Sequence, residues 1–189
     1  MHIEPTELPG VVFLRSRRHE DARGFVSELF RAGSFAAAGL PARFEQDTFA
    51  RSGAGVVRGL HFQRRPGQDK LVHVLRGAIY DVAVDVRMGS PTRGQHVARV
   101  LEEGDSLFVP RGFAHGYAVL GDGADVLYQA SAPYDPAEER GVAWDDPALG
   151  IAWPLREPVL SDRDRANPRL VDLRDEDAPA PPPLANETP

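Results

Sequence analysis

Short apolar runs, broken by Gly, Pro and Asp, make up most of the chain. They fall at residues 11–14, 24–30, 56–62, 71–75, 79–86, 97–101, 107–109, 116–120 and 126–128. Runs of this length and spacing predict the many short strands of an antiparallel sandwich or barrel. The clearest is 79–86. There Tyr80, Val82, Val84 and Val86 share one face, and Asp81 and Asp85 fall on the other, because side chains alternate along a strand. Arg76-Gly77 stands between two strand-like runs and predicts a tight hairpin, with Gly77 taking positive φ. Helical pattern is sparse. Residues 32–39 predict a short helix stopped by Gly39 and Pro41. Ser161-Asp162-Arg163-Asp164 opens like an N-cap followed by acids in a first turn. Residues 178–189 carry five prolines and almost nothing apolar and large, the composition of a disordered tail. One folded domain over 1–170, with 171–189 as a Pro-rich tail, is the expected organisation.

A chain of 189 residues suffices for one domain with its own core. No apolar run approaches the roughly 20 residues of a membrane helix, and the first residues lack the apolar stretch of a secretory signal. The absence of cysteine removes disulfides, thiol nucleophiles and thiolate metal sites, and fits a cytoplasmic protein. A net charge of −6 argues against a broad nucleic-acid face. It leaves open a local basic pocket for a small anion.

Two stretches carry candidate chemistry. Gly104, Pro110, Gly112 and His115 have the spacing of the second cupin motif: a turn, a short strand, a bend, then a histidine entering the next strand. In the first-motif position, His61 stands alone and Gln63 occupies the place of a second histidine. His61, His73 and His115 remain a conceivable metal triad. No carboxylate stands where a metal-binding cupin has one, so no metal is expected. In isolation His61 reads as a satisfied core residue.

The chain resembles the dTDP-4-dehydrorhamnose 3,5-epimerase family over roughly residues 8–170. The segments that carry the likeness include 21–25, 44–47, 57–63, 69–72, 81–87, 110–116, 149–154 and 160–164, in the family's order. The resemblance implies a cupin-type antiparallel β-barrel or jelly roll with a few short helices, no cofactor, a dTDP-sugar substrate and a homodimer. It implies His61 as catalytic base, Asp164 as the carboxylate paired with it, Tyr128 as the acid on the opposite sugar face and Lys70 beside the C4 oxygen. Arg23, Glu28, Gln46, Asp47, Thr48, Arg58, His115, Glu139 and Arg163 match positions that contact the nucleotide sugar, and Tyr134 matches an aromatic that stacks on the base. Thr48 replaces the family's usual Asn. The stretch 23–28 is implied to reach the neighbouring subunit's site.

These residue types suit the reaction. A hydrogen beside a ketone is weakly acidic, and its removal leaves an enolate. A histidine titrating near neutrality is a fitting base. A carboxylate on its other ring nitrogen fixes the tautomer and favours the imidazolium. A lysine stabilises the enolate oxygen. Inversion needs a proton returned to the other face, which a tyrosine can supply. Within the same class, a mono-epimerase of a related 4-keto sugar fits the same residues. Outside it stand a metal-dependent cupin and a non-catalytic sugar-nucleotide binder. One geometric problem arises. Arg58 and His61 are three apart and would face opposite ways on a regular strand, so the strand must bulge, with Gly59 the candidate.

Overall fold

The computed structural model describes residues 1–179. Its strands are β1 (His2–Pro5), β2 (Val12–Arg15), β3 (Arg18–Asp21), β4 (Gly24–Ser27), β5 (Gln46–Gly53), β6 (Val57–Gln63), β7 (Lys70–Asp85), β8 (His96–Glu102), β9 (Asp105–Val109), β10 (Phe113–Ala130) and β11 (Glu139–Gly141). Two short α-helices join them, α1 (Ala32–Ala37) and α2 (Asp162–Arg165). Nine strands form one antiparallel sheet system, and β3 and β4 form a separate two-stranded ribbon.

The long strands β7 and β10 pair along most of their length and organise the barrel. The first half of β7 pairs with β9 and the second with β8. The first half of β10 pairs with β6 and the second with β5. Each long strand therefore belongs to both sheets of a jelly roll. This replaces the hairpin expected at Arg76-Gly77. The chain runs straight through, and the register shifts between Leu120 and Asp125 on the partner strand. Gly77 sits at φ 79° with Gly123 O so near that a Cβ would lie 2.2 Å from it. A glycine there allows a bend within a strand rather than a reversal.

Alternation sorts the apolar residues into layers. Val72, Val74, Ile79, Ala83, Leu101, Leu107, Tyr117, Val119 and Val126 fill the barrel interior. Val82, Val84 and Val86 point outward, under Leu149, Leu170, Leu173 and Ala178. Each such buried aliphatic contributes roughly 1.5–3 kcal/mol. Leu14, Leu71 and Phe108 on the other outer face are covered by Phe35 of α1. The acids of 79–86 thus face the inside: Asp81 and Asp85 are both fully buried. Asp85 accepts from Arg87, Ser90 and Thr92.

The expected domain end at 170 needs correction. Residues 170–178 pack on the domain through Leu170, Leu173 and Ala178, and Asp177 accepts from Arg140 and Arg174. Two leucines over an open sheet face are enough to hold a segment whose composition looks like a tail. The rest of the expected tail, 180–189, lies outside the described residues.

Candidate active site

A cavity of about 620 Å³ opens at the β5–β6–β10 side of the barrel, a size suited to a small-molecule ligand. His61 enters it from β6. The register with β10 places His115 opposite His61 but Tyr117 opposite Arg58. One extra residue therefore sits on β6, at Gly59 with φ 127°. A Cβ there would lie 2.5 Å from the Gly116 backbone. This bulge brings Arg58 and His61 to one cavity.

Asp164 arrives from far along the chain. Val57 and Val159 exchange backbone contacts, Val57 N donating to Val159 O and Val159 N to Gly55 O. That clip lays 159–164 across the cavity. Ser161 caps α2 by accepting from the Asp164 amide at 3.1 Å. Asp164 Oδ1 then lies 2.5 Å from His61 Nε2. Burial alone would push the Asp164 carboxyl up. The His61, Ser161 and Gly59 hydrogen bonds outweigh it and hold the group below its ordinary value. Asp164 is therefore a carboxylate that accepts the His61 Nε2 proton. The other ring nitrogen makes no hydrogen bond to the described residues and is left to act as a base.

Lys70 starts β7 with Nζ 3.5 Å from the His61 carbonyl. Burial draws its ammonium down to about 8, against the pull of Glu139. Tyr128 lies partly buried on β10, and burial raises its phenol well above the usual range. His115 packs edge-on to Tyr128, with ring centroids 6.0 Å apart, and its Nε2 lies 2.7 Å from Asp81 Oδ1.

The same cavity is lined by Gln46, Thr48, Arg58, Tyr134, Glu139 and Arg163. At its mouth Glu139 accepts from Tyr134 and from Arg163. Gln46 accepts from the Tyr134 amide at 2.6 Å.

Three expected contacts are not in the wall. Asp47 alternates away from Gln46 and Thr48 along β5 and accepts from Gln129 at 3.2 Å. Arg23 folds back on Asp21, and Glu28 pairs with Arg31 at 2.6 Å; both belong to the exposed β3–β4 region. The conceivable metal triad does not assemble either. His73 is buried with Nδ1 2.6 Å from Ser106 Oγ and Nε2 3.2 Å from Gln129 Oε1. Among the described residues no three His, Asp or Glu side chains are placed to hold a metal ion.

Sequence reasoning missed Asp81 as the partner of His115. It carried a signal, since a carboxylate inside an apolar strand needs a buried partner.

A family model described as dTDP-4-dehydrorhamnose 3,5-epimerase matches residues 5–172. A dTDP-4-dehydrorhamnose 3,5-epimerase of Neisseria gonorrhoeae is 44% identical over 88% of this chain, which spans only 52% of that longer protein. Among solved structures, the dTDP-6-deoxy-D-glucose-3,5-epimerase of Legionella pneumophila in complex with dTDP-4-keto-L-rhamnose superposes with a TM-score of 0.91. It is 40% identical, over 96% of this chain and 98% of that one. A 4-keto-6-deoxy sugar epimerase from the novobiocin gene cluster of Streptomyces spheroides also reaches 0.91, at 38% identity over 95% and 93% of the two chains.

Proposed function

The chain belongs to the dTDP-4-dehydrorhamnose 3,5-epimerase family, and from that premise we propose that it inverts C3 and C5 of dTDP-4-dehydro-6-deoxy-D-glucose to give dTDP-4-dehydro-L-rhamnose. The observation that supports this most is the convergence of His61–Asp164, Lys70 and Tyr128 on one cavity.

His61 takes the hydrogen beside the ketone. Asp164 stabilises the imidazolium that results. Lys70 holds the enolate charge on the C4 oxygen, and Tyr128 returns a proton from the opposite ring face. Each carbon loses one proton and regains one, so substrate and product are isomers and no redox partner is needed. Arg58 and Arg163 offer planar forks for the diphosphate. Tyr134, 44% exposed at the mouth, offers a ring for the base to stack on.

The β3–β4 ribbon supports a homodimer. It stands apart from the main sheet, with Phe25 43% and Val26 74% exposed. Docked on a second copy, it would bury those side chains and bring Arg23 and Glu28 to that copy's cavity. A charged sugar nucleotide as substrate fits a cytoplasmic enzyme. Sedimentation of the purified chain tests the dimer.

Incubation with the 4-keto sugar nucleotide in D₂O tests the reaction. Deuterium at both C3 and C5, with inversion, is the expected result. Label at one carbon only would make the protein a mono-epimerase, and label at neither would overturn the proposal.

A further inference from the structure

Beside β11 lies a cluster of charged side chains that the reaction as described does not use. β11 is three residues long and stands at the edge of its sheet, with β6 as its strand partner. A strand that short, paired on one side, is weakly held by its ladder alone. Its middle residue, Arg140, alternates away from Glu139 and gathers the neighbouring backbone. Arg140 Nη1 donates to Ala137 O at 2.8 Å and to Glu139 O at 2.9 Å. Arg140 Nε donates to Asp177 Oδ1 at 2.7 Å, and Asp177 Oδ2 accepts from Arg174 Nε at 2.7 Å. On the other flank, Arg64 donates to both oxygens of Glu138 at 2.7 Å, and through Nη1 to the Glu176 carbonyl at 3.0 Å.

Residues 174–178 thus brace β11. The Asp177 and Ala178 amides close a turn on Arg174 O, at 2.9 and 3.1 Å. Leu173 and Ala178 are 7% and 3% exposed, so the turn is seated on the core. Arg174 and Asp177 lie beyond the stretch 5–172 that the family model matches. From this brace the contacts run inward to the site. Glu139, held by its backbone, accepts from the Tyr134 hydroxyl and from Arg163, two side chains that line the cavity.

We propose that Asp177 is a positioning residue for nucleotide binding: through the Arg140 guanidinium it fixes the Glu139 backbone, and Glu139 holds Tyr134 and Arg163 in place for the base and the diphosphate. Two features favour this role over one of stability alone. The Arg140 side chain is 29% exposed and that of Arg174 69%, and ion pairs so near water contribute little to folding. The second feature is aim. A planar guanidinium anchored at Nε has its remaining donors directed, and here they meet the carbonyls of Ala137 and Glu139. Without Asp177 that guanidinium is free to turn toward solvent, and the Glu139 carbonyl loses its outer support.

The inference rests on the epimerase reading, in which Tyr134, Glu139 and Arg163 meet the nucleotide, and one set of measurements separates the two. Calorimetric titration of the full chain with dTDP gives Kd, and turnover of the 4-keto sugar nucleotide gives KM and kcat. Asp177→Ala should raise both Kd and KM about tenfold, the worth of one hydrogen bond to a charged group. Its kcat should be little changed, because contacts made equally in the ground and transition states act on KM alone. Asp177→Asn keeps an acceptor for Arg140 Nε and should recover much of the affinity. Arg174→Ala leaves the Asp177–Arg140 contact intact and should bind dTDP as the wild type does. A wild-type Kd in Asp177→Ala, even with a lowered thermal midpoint, overturns the role of Asp177. So does an equal loss of affinity in Arg174→Ala, or a fall in kcat with KM unchanged. A wild type that does not bind dTDP overturns the epimerase reading itself, and this inference with it.

Discussion

Two histidine–aspartate pairs lie side by side in this barrel, and the proposed base belongs to the more exposed of them. His61 and His115 face each other across the β6–β10 pairing. Each holds a carboxylate, at 2.5 and 2.7 Å respectively. Their surroundings differ. The His61 side chain is 24% exposed and that of His115 is 4%. Asp164 is supported by Ser161 and the Gly59 amide. Asp81 is wholly buried, and its Oδ2 has no partner among the described residues. Burial pushes the Asp81 carboxyl up despite the charge and hydrogen bond of His115, whereas Asp164 is held down. The pair geometry is common to both, whereas a well-supported carboxylate and a more exposed ring belong to the His61 pair.

The largest effects should come from breaking that contrast at its histidines. His61→Asn should lower solvent exchange at both carbons by at least 10²–10⁴-fold, the usual worth of a placed base. His115→Asn should leave exchange at saturating substrate largely intact and raise KM. Exchange lost equally in both variants, measured by deuterium wash-in, would mean that the second pair is a base as well. Tyr128→Phe should reduce inversion by a similar factor while the first deprotonation is hurt less.

Lys70 comes next. Its replacement by Met should cost about 10²–10³-fold in kcat, as for one lost oxyanion donor. Because its ammonium titrates at about 8, kcat/KM should fall as pH rises through 8. Lys70→Arg should move that alkaline limb upward. A limb unchanged in the arginine variant assigns it to another group.

Much of this was legible in the chain, and the misses have physical causes. Short apolar runs bounded by Gly, Pro and Asp revealed most strands, because both outer faces and the interior are apolar. They could not tell a bend from a hairpin at Gly77. Positive φ serves both, and the difference lies in β10, whose own glycines stand opposite. Reading Asp81 and Asp85 as the polar face of a strand was correct in pattern and silent about place, since that face looks into the barrel. The bulge at Gly59 was legible because two functional residues three apart demanded it. Asp47 was carried over from the resemblance, and strand alternation alone says that it faces away from Gln46 and Thr48. Asp164, 103 residues from His61, could be joined to it only by resemblance. No local pattern reports a contact set by the 55–57 to 159 clip.

The smallest effect is the most discriminating for the two aspartates, and it concerns stability. Asp164 has a folded pKa below its unfolded value of about 3.9. Its ionised form stabilises the fold fully above that value, and the contribution is lost as pH falls through the folded pKa. Asp164→Asn should therefore cost most near neutrality and least in acid. Asp81 is shifted the other way. The folded protein holds its proton more tightly than the unfolded chain, so ionisation becomes a penalty as pH rises from about 3.9 through the folded pKa. Asp81→Asn keeps an acceptor for His115 and removes that penalty. Its deficit should be largest in acid and shrink toward pH 7. Each change should amount to about 1–3 kcal/mol, the scale of one buried polar group gained or lost. Urea unfolding of both variants and the wild type, compared across that pH range, should give differences of opposite slope. Parallel slopes would show that the two carboxylates are held alike, and the distinction between the pairs would then rest on access to the cavity alone.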